Sequence, residues 1–131
     1  MFADIPLGAE SALSLTVEEA CTAHRWGSGE LLVFATPHMI ALMERAAVAA
    51  VDSHLPEGYQ TVGTLVNIEH VAPSPVGAQV TARARLVARE GRKLVFEVEA
   101  ADANGLIGRG THERFVIQTA SFMQKAKARL N

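Results

Sequence analysis

The sequence predicts an α+β fold in which a curved antiparallel sheet wraps around one long central helix. Two observations carry this expectation. Residues 35 to 54 hold a helical pattern that is apolar on nearly every side, and from residue 61 the apolar residues switch to alternation, broken by turn signals. A helix this greasy needs cover on several sides, and strands joined by short turns supply it as a sheet that curls. The chain of 131 residues suffices for one domain with a real hydrophobic core, taken as residues 1–131.

A first strand is expected near Ser14 to Ala23. Thr36 followed by Pro37 then reads as a helix start, with a hydroxyl at the N-cap and proline at the first helical position, where its missing N–H costs nothing. The helix runs to about His54, where LPEG ends it. Its stripe holds Met39, Ile40, Met43, Ala46, Ala47, Ala50 and Val51, while Ala41, Leu42 and Val48 make the other side apolar too. In TVGTLVNIEHVA, residues 61 to 72, alternation puts Val62, Thr64, Val66, Ile68 and His70 on one face and Gly63, Leu65, Asn67 and Glu69 on the other. PSPVG is turn material. From residue 78 to 89, Val80, Ala82, Ala84 and Leu86 oppose Thr81, Arg83, Arg85 and Arg89. EGRK makes a hairpin turn into a strand with Leu94, Phe96 and Val98 on one face, ANG makes another, and a last strand spans about Leu106 to Thr119 before a short terminal helix or tail.

Composition excludes several classes. With 20% charged residues and a formal net charge of −2, the chain lacks the basic surplus that phosphate contacts demand, so no nucleic acid is expected. Cys21 is the only cysteine, which excludes an intramolecular disulfide and suits a reducing cytoplasm; it reads as a small core residue. The start MFADIPLGAE lacks the basic opening and apolar run of a secretory signal, and the apolar stretch from Met39 to Val51 is interrupted by Glu44 and Arg45, so no membrane span is expected. His24, His38 and His54 have no metal-ligand spacing, and no metal is expected. A sheet of this kind leaves an edge strand open, which a second copy can cover, so a homodimer or a dimer of dimers is expected.

Three polar groups fall in apolar surroundings: Thr36 at the helix entrance, Glu44 inside ATPHMIALMERAA, and His70 at the end of a strand face carrying Val66 and Ile68. A hydroxyl, a carboxylate and an imidazole are the parts of acyl transfer. Each also has a plainer reading: Thr36 as an N-cap, Glu44 as the partner of an arginine, His70 as a hydrogen-bonded rim residue. Arg83, Arg85 and Arg89, with Arg92 and Lys93 nearby, read as a solvated outer face in preference to phosphate contacts, and Arg114 has the plainer reading of a structural partner for Glu69 or Glu113.

The segments VFATPHMIALMERAAVAAVD and TVGTLVNIEHVAPSPVGAQVTARA resemble the fluoroacetyl-CoA thioesterase-like family of hotdog-fold proteins, over about Thr16 to Thr119. The resemblance implies a hotdog fold and hydrolysis of a small or medium acyl-CoA to the free acid and CoA, without a cofactor, in a homodimer with sites at the subunit interface. It implies catalytic roles for Thr36 in ATP, Glu44 in ALME and His70 in NIEH, and substrate contacts for Gly63 in VGT and Arg114 in HERF. A non-catalytic acyl-CoA or small-ligand binding protein and a hydratase of the same fold are the rival readings. Fluoroacetyl specificity does not follow, because Glu30 in HRWGSGELLVF stands where a small apolar acyl group wants an apolar cover. Trp26 and Phe34 either line the acyl tunnel or pack the core. Eight helical residues separate Thr36 from Glu44, a rise of about 12 Å at ~1.5 Å each, so the two cooperate only if the helix starts late, if their side chains converge, or if they belong to different ends of the substrate.

Overall fold

The structure is a computed structural model and describes residues 4–130. Strand β1 (Glu10–Thr16) is followed by a 3-10 turn at Glu19–Cys21 and the one-turn helix α1 (Ala23–Trp26). The long helix α2 spans Thr36–Val51 and closes through a second 3-10 turn, Asp52–His54. Then come β2 (Tyr59–His70), β3 (Gln79–Glu90), β4 (Lys93–Asp102), β5 (Gly105–Gln118) and α3 (Thr119–Ala128). The strands form one sheet in the order β1-β3-β4-β5-β2, every neighbouring pair antiparallel. Strands β3, β4 and β5 make a meander, and β2 joins its far side, so β1 and β2 are the two edges.

Helix α2 packs mainly on β1, β3 and β4. Its buried residues, Met39, Leu42, Met43, Ala46, Ala47, Ala50 and Val51, meet the inward residues Val80, Ala82, Ala84 and Leu86 of β3 and Leu94, Phe96, Val98 and Ala100 of β4. These strand residues are the ones alternation selects. Burying a side chain such as Leu86 or Phe96 contributes roughly 1.5–3 kcal/mol, and the interface is alanine-rich on both sides, which brings helix and sheet close together.

The structure corrects several expectations. The first strand lies earlier than Ser14 to Ala23: Leu13 and Leu15 pair with Ala82 and Val80, and the chain turns at Glu19–Cys21. The helix is not covered on several sides within one chain, because Arg45 and Ala49 are exposed and Ile40, Ala41, Glu44 and Val48 are only partly covered. Thr36 is not the N-cap. Ala35 takes that place with extended backbone, Thr36 is the first helical residue and Pro37 the second. A register shift between Gly63 and Leu65 breaks the alternation of β2: Gly63 pairs with Arg114 and Val66 with His112, so Gly63 shares the helix-side face with Val66 and His70 instead of lying opposite. A second shift between Leu86 and Ala88 separates Arg89 from Arg83 and Arg85. Arg89 pairs with the inward Leu94, and its Nη1 donates to the Ile5 carbonyl at 2.7 Å. Arg83 and Arg85 stay exposed on the outer face, as expected, with Arg83 3.8 Å from Glu10.

Candidate active site

Because α2 packs mainly on β1, β3 and β4, the helix-side face of the edge strand β2 is left partly open beside it, with Val66 exposed, while β5 stays buried at Gly108, His112 and Arg114. The register shows which residues share that face. Opposite the inward Ala100, Val98, Phe96 and Leu94 of β4 stand Gly108, Gly110, His112 and Arg114 of β5. Opposite these in β2 are His70, Ile68, Val66 and Gly63. Gly108 leaves room for the helix, since a Cβ there would fall 2.5 Å from Met39 Sδ, and Gly110 leaves room for the backbone of β2 at Asn67 and Ile68.

One polar cluster lies at the start of α2. The chain enters the helix through Phe34 and Ala35, whose amides donate to the carbonyls of Ser74 and Cys21, each at 2.8 Å. Ser74, fully buried in the turn after β2, donates in turn to Asp102 at 2.8 Å, and this bond is the main cause holding the Asp102 carboxyl below its ordinary pKa. The helix start is thereby fixed against the end of β2, and Thr36 Oγ1 lies 2.7 Å from His70 Nδ1. Burial pushes the His70 pKa down, against a weaker opposing pull from the Ala72 backbone, so the imidazole is neutral at neutral pH. Its Nε2 is buried and has no hydrogen-bond partner among the described residues. Met39 makes the first amide bond of the helix, to the Ala35 carbonyl, which leaves the amides of Thr36 and His38 without an intrahelical acceptor. A cavity of about 420 Å³ opens here, lined by Thr36 and His70 and by apolar groups that include Val33, Phe34, Val71 and Pro73. Phe34 thus both packs the core and borders the cavity. Trp26 does not line it; the indole meets the His38 ring at a tilt of 56°, 5.3 Å between centroids, and donates to the Ala20 carbonyl at 3.1 Å. Glu30 is exposed and does not line it either, contrary to the sequence expectation.

The second cluster is two helical turns along. Glu44 Oε2 lies 3.5 Å from Arg114 Nη1, with the arginine side chain 8% exposed and the glutamate 40%. The glutamate in the greasy helix is therefore neither deep in the core nor unpaired. Arg114 pairs with it, not with Glu69 or Glu113; Glu113 instead meets Lys93 at 3.4 Å. Arg114 Nε donates to Thr61 Oγ1 at 2.8 Å and Nη2 to the Thr61 carbonyl at 3.0 Å, while Nη1 lies 3.1 Å from His112 Nε2. Burial lowers the Arg114 pKa and Glu44 raises it, and the guanidinium stays charged. Gly63 belongs to this cluster, since a Cβ there would lie 2.8 Å from Glu44 Oε2. The space that glycine leaves is the space the carboxylate occupies.

The structure brings Thr36 together with His70, and Glu44 together with Gly63 and Arg114, but it does not join the two clusters within one chain. Thr61 and the fully buried His112 are members that sequence reasoning missed. His112 was legible, because counting back by two along the strand from Arg114 reaches it. Among the described residues no group of three His, Cys, Asp or Glu stands close enough to hold a metal ion, and Cys21 is buried as a free thiol.

Comparison with known proteins extends this geometry. A fluoroacetyl-CoA thioesterase from Streptantibioticus cattleyicolor is 43% identical over 95 residues, which cover 72% of this chain and 68% of that protein. A solved structure of the fluoroacetyl-CoA thioesterase FlK matches with a TM-score of 0.87 and 36% identity, over 94% of this chain and 96% of that one. A threonine-to-serine variant of FlK in complex with acetyl-CoA matches with a TM-score of 0.89 and 33% identity, over 96% and 99% of the two chains. A likeness this complete in fold and sequence makes the chain a hotdog thioesterase, a hydrolase of acyl thioesters. The family profile described as fluoroacetyl-CoA-specific thioesterase matches residues 17–120, and the chain belongs to that family.

Proposed function

We propose that the protein hydrolyses a short acyl-CoA thioester to the free acid and CoA, in a site that two copies of the chain complete. The observation that carries the reading is the Thr36–His70 hydrogen bond of 2.7 Å at a helix start that borders a largely apolar cavity. Thr36, held by His70, and the unbonded amides of the first turn meet the thioester oxygen as it gains charge, aided by the positive end of the helix dipole. Glu44 takes a proton from water as the water oxygen bonds to the carbonyl carbon. The carbon–sulfur bond then breaks. A thiol of pKa ≈ 8.5 leaves readily as thiolate, so its departure needs no dedicated acid. Gly63 gives the carboxylate room, and Arg114 holds it. The acyl group is small and apolar, in keeping with the cavity lining and with the acetyl-CoA bound to the threonine-to-serine variant of FlK.

Two copies are required because Thr36 and Glu44 stand two helical turns apart. Strand β2 is a sheet edge with Leu65 and Val66 exposed, and it runs from Gly63 beside Glu44 to His70 beside Thr36. Antiparallel pairing of this edge with the same edge of a second copy sets each chain's His70 against the partner subunit's Gly63, and so each Thr36 toward the partner subunit's Glu44. A cytoplasmic location fits the single reduced cysteine.

Co-expression of Thr36→Ala with Glu44→Ala tests the whole reading. Each variant alone releases almost no thiol from acetyl-CoA or other short acyl-CoAs. The mixture recovers about a quarter of wild-type activity, because half the random dimers are mixed and each mixed dimer has one intact site of two. A mixture as inactive as its components refutes the shared site, and a wild type that binds acyl-CoA without releasing thiol refutes hydrolysis.

A further inference from the structure

His112 is fully buried on β5, with the Phe96 ring 6.3 Å away across the strand pair. A leucine or methionine fills such a place without any polar group to satisfy. The two ring nitrogens have partners that leave no ambiguity. Nδ1 lies 2.8 Å from the Leu65 carbonyl, which only accepts, so Nδ1 carries the hydrogen. Nε2 lies 3.1 Å from Arg114 Nη1, which only donates, so Nε2 is a bare lone pair. Leu65 is the residue at which the β2 register resumes after its shift, and Arg114 is the guanidinium facing Glu44. Thr61 holds Arg114 from one side, at Nε and Nη2, and His112 holds it from the other, at Nη1.

We propose that His112 is a positioning residue of the reaction: as the neutral Nδ1–H imidazole it ties the β2 irregularity at Leu65 to Arg114, and through Arg114 it fixes where the Glu44 carboxylate stands. This rests on the reading of Glu44 as the base. A second proton on His112 would set an N–H against the Arg114 guanidinium and leave two donors without an acceptor. The charged groups around the ring are Arg114 and Glu113 on β5 and Glu44 on α2; β2 offers only the Leu65 carbonyl, and β4 the uncharged Phe96. Burial and Arg114 oppose protonation, while the Leu65 carbonyl and the two glutamates favour it, and burial is the largest effect.

The test uses His112→Leu and His112→Gln in the full chain, assayed by thiol release from acetyl-CoA and other short acyl-CoAs. The Leu variant is expected to lose about tenfold or more in kcat with KM within about threefold, since it disturbs a reacting group and no substrate contact. The Gln variant, whose amide donates to one side and accepts from the other, is expected to recover most of that loss. In a Glu44→Gln background His112→Leu is expected to add nothing further, because both act through one carboxylate. Multiplicative losses in the double variant, a change confined to KM, or failure of Gln to rescue would overturn the proposal. Nitrogen NMR of histidine-labelled wild-type protein reads the ring without any variant having to fold. An Nδ1–H tautomer that persists below pH 6.5 supports the assignment; an Nε2–H tautomer or an ordinary titration overturns it. Absence of thiol release by the wild type would instead remove the hydrolase reading, and the NMR result still decides whether His112 holds Arg114 in the stated form.

Discussion

Replacing Gly63 with alanine probes how the Glu44 cluster is built. Gly63 is not among the residues with positive φ, so the backbone accepts a side chain and only space decides. The new Cβ falls 2.8 Å from Glu44 Oε2, 3.2 Å from His112 Cε1 and 3.3 Å from Arg114 Nη1. Ordinary contact begins at 3.4 Å, so the carboxylate oxygen must retreat by about 0.6 Å, whereas His112, held by Leu65 and Arg114, and Arg114, held by Thr61 and His112 besides Glu44, need give only about 0.1–0.2 Å. The Glu44–Arg114 separation is already 3.5 Å, and such a retreat stretches or breaks it. Glu44 is 40% exposed and free to swing toward solvent, so the stability cost is about 1 kcal/mol, near the low end for overpacking, and the Tm falls by less than about 8 °C. On the proposed role of Glu44 as the base, catalysis is less forgiving, and displacing its carboxylate by this much is expected to lower kcat by roughly 10- to 100-fold. Thiol release from acetyl-CoA under saturating substrate, beside a thermal melt followed by circular dichroism, separates the two effects. A variant with kcat within about twofold of wild type refutes the argument. So does one whose activity loss is explained by a collapse of the melt.

Two further outcomes are expected. His38, His70 and His112 are each pushed below the ordinary value of 6.5 by burial, with Arg45 adding to the effect at His38, so each is neutral in the fold where the unfolded chain takes up a proton. The unfolded state therefore binds more protons below about pH 6.5, and stability declines from there until pH reaches the lowered folded-state values; melts with a constant Tm from about pH 7 to pH 5 would contradict this. The second concerns two glycines of β5. A Cβ on Gly110 lands on the Asn67 carbonyl and the Ile68 backbone of the neighbouring strand, whereas one on Gly108 meets chiefly the flexible end of Met39. Denaturant titration should find Gly110→Ala several kcal/mol less stable, or unfolded, with Gly108→Ala costing about 1–3 kcal/mol; equal losses would argue against the geometry.

The strands from residue 78 to 102 were legible because a sheet with one covered face writes its burial as alternation, and Val80, Ala82, Ala84, Leu94 and Phe96 follow it. The register shifts were not legible. An extra residue is absorbed where one strand meets its partner, and local pattern carries only a hint of it, here the lone Gly63 inside β2. That single shift reverses the faces inferred for Gly63, and it explains why a glycine assigned opposite His70 shares its side. Thr36, Glu44 and His70 were legible as polar groups in apolar company. The separation of Thr36 from Glu44 was legible too, as a helical rise of about 12 Å; that His70 joins Thr36 and Arg114 joins Glu44 depends on how α2 lies against β2 and β5, which periodicity does not contain. Thr36 misled for a related reason: a hydroxyl before proline fits the capping pattern, but a nearby imidazole claimed it.

Alanine fills both sides of the contact between α2 and the sheet, with Ala46, Ala47 and Ala50 on the helix and Ala82, Ala84 and Ala100 on the strands. Methyl against methyl acts as a shim of minimum thickness. One added methylene in that seam lifts the whole rod, carrying Thr36 and Glu44 away from His70 and Arg114 on the strands beneath. The width of the proposed cleft is thus gauged by buried alanines, and a bulkier acyl group can be admitted by a change in the seam that replaces none of the proposed reacting side chains and shifts Thr36 and Glu44 as one body.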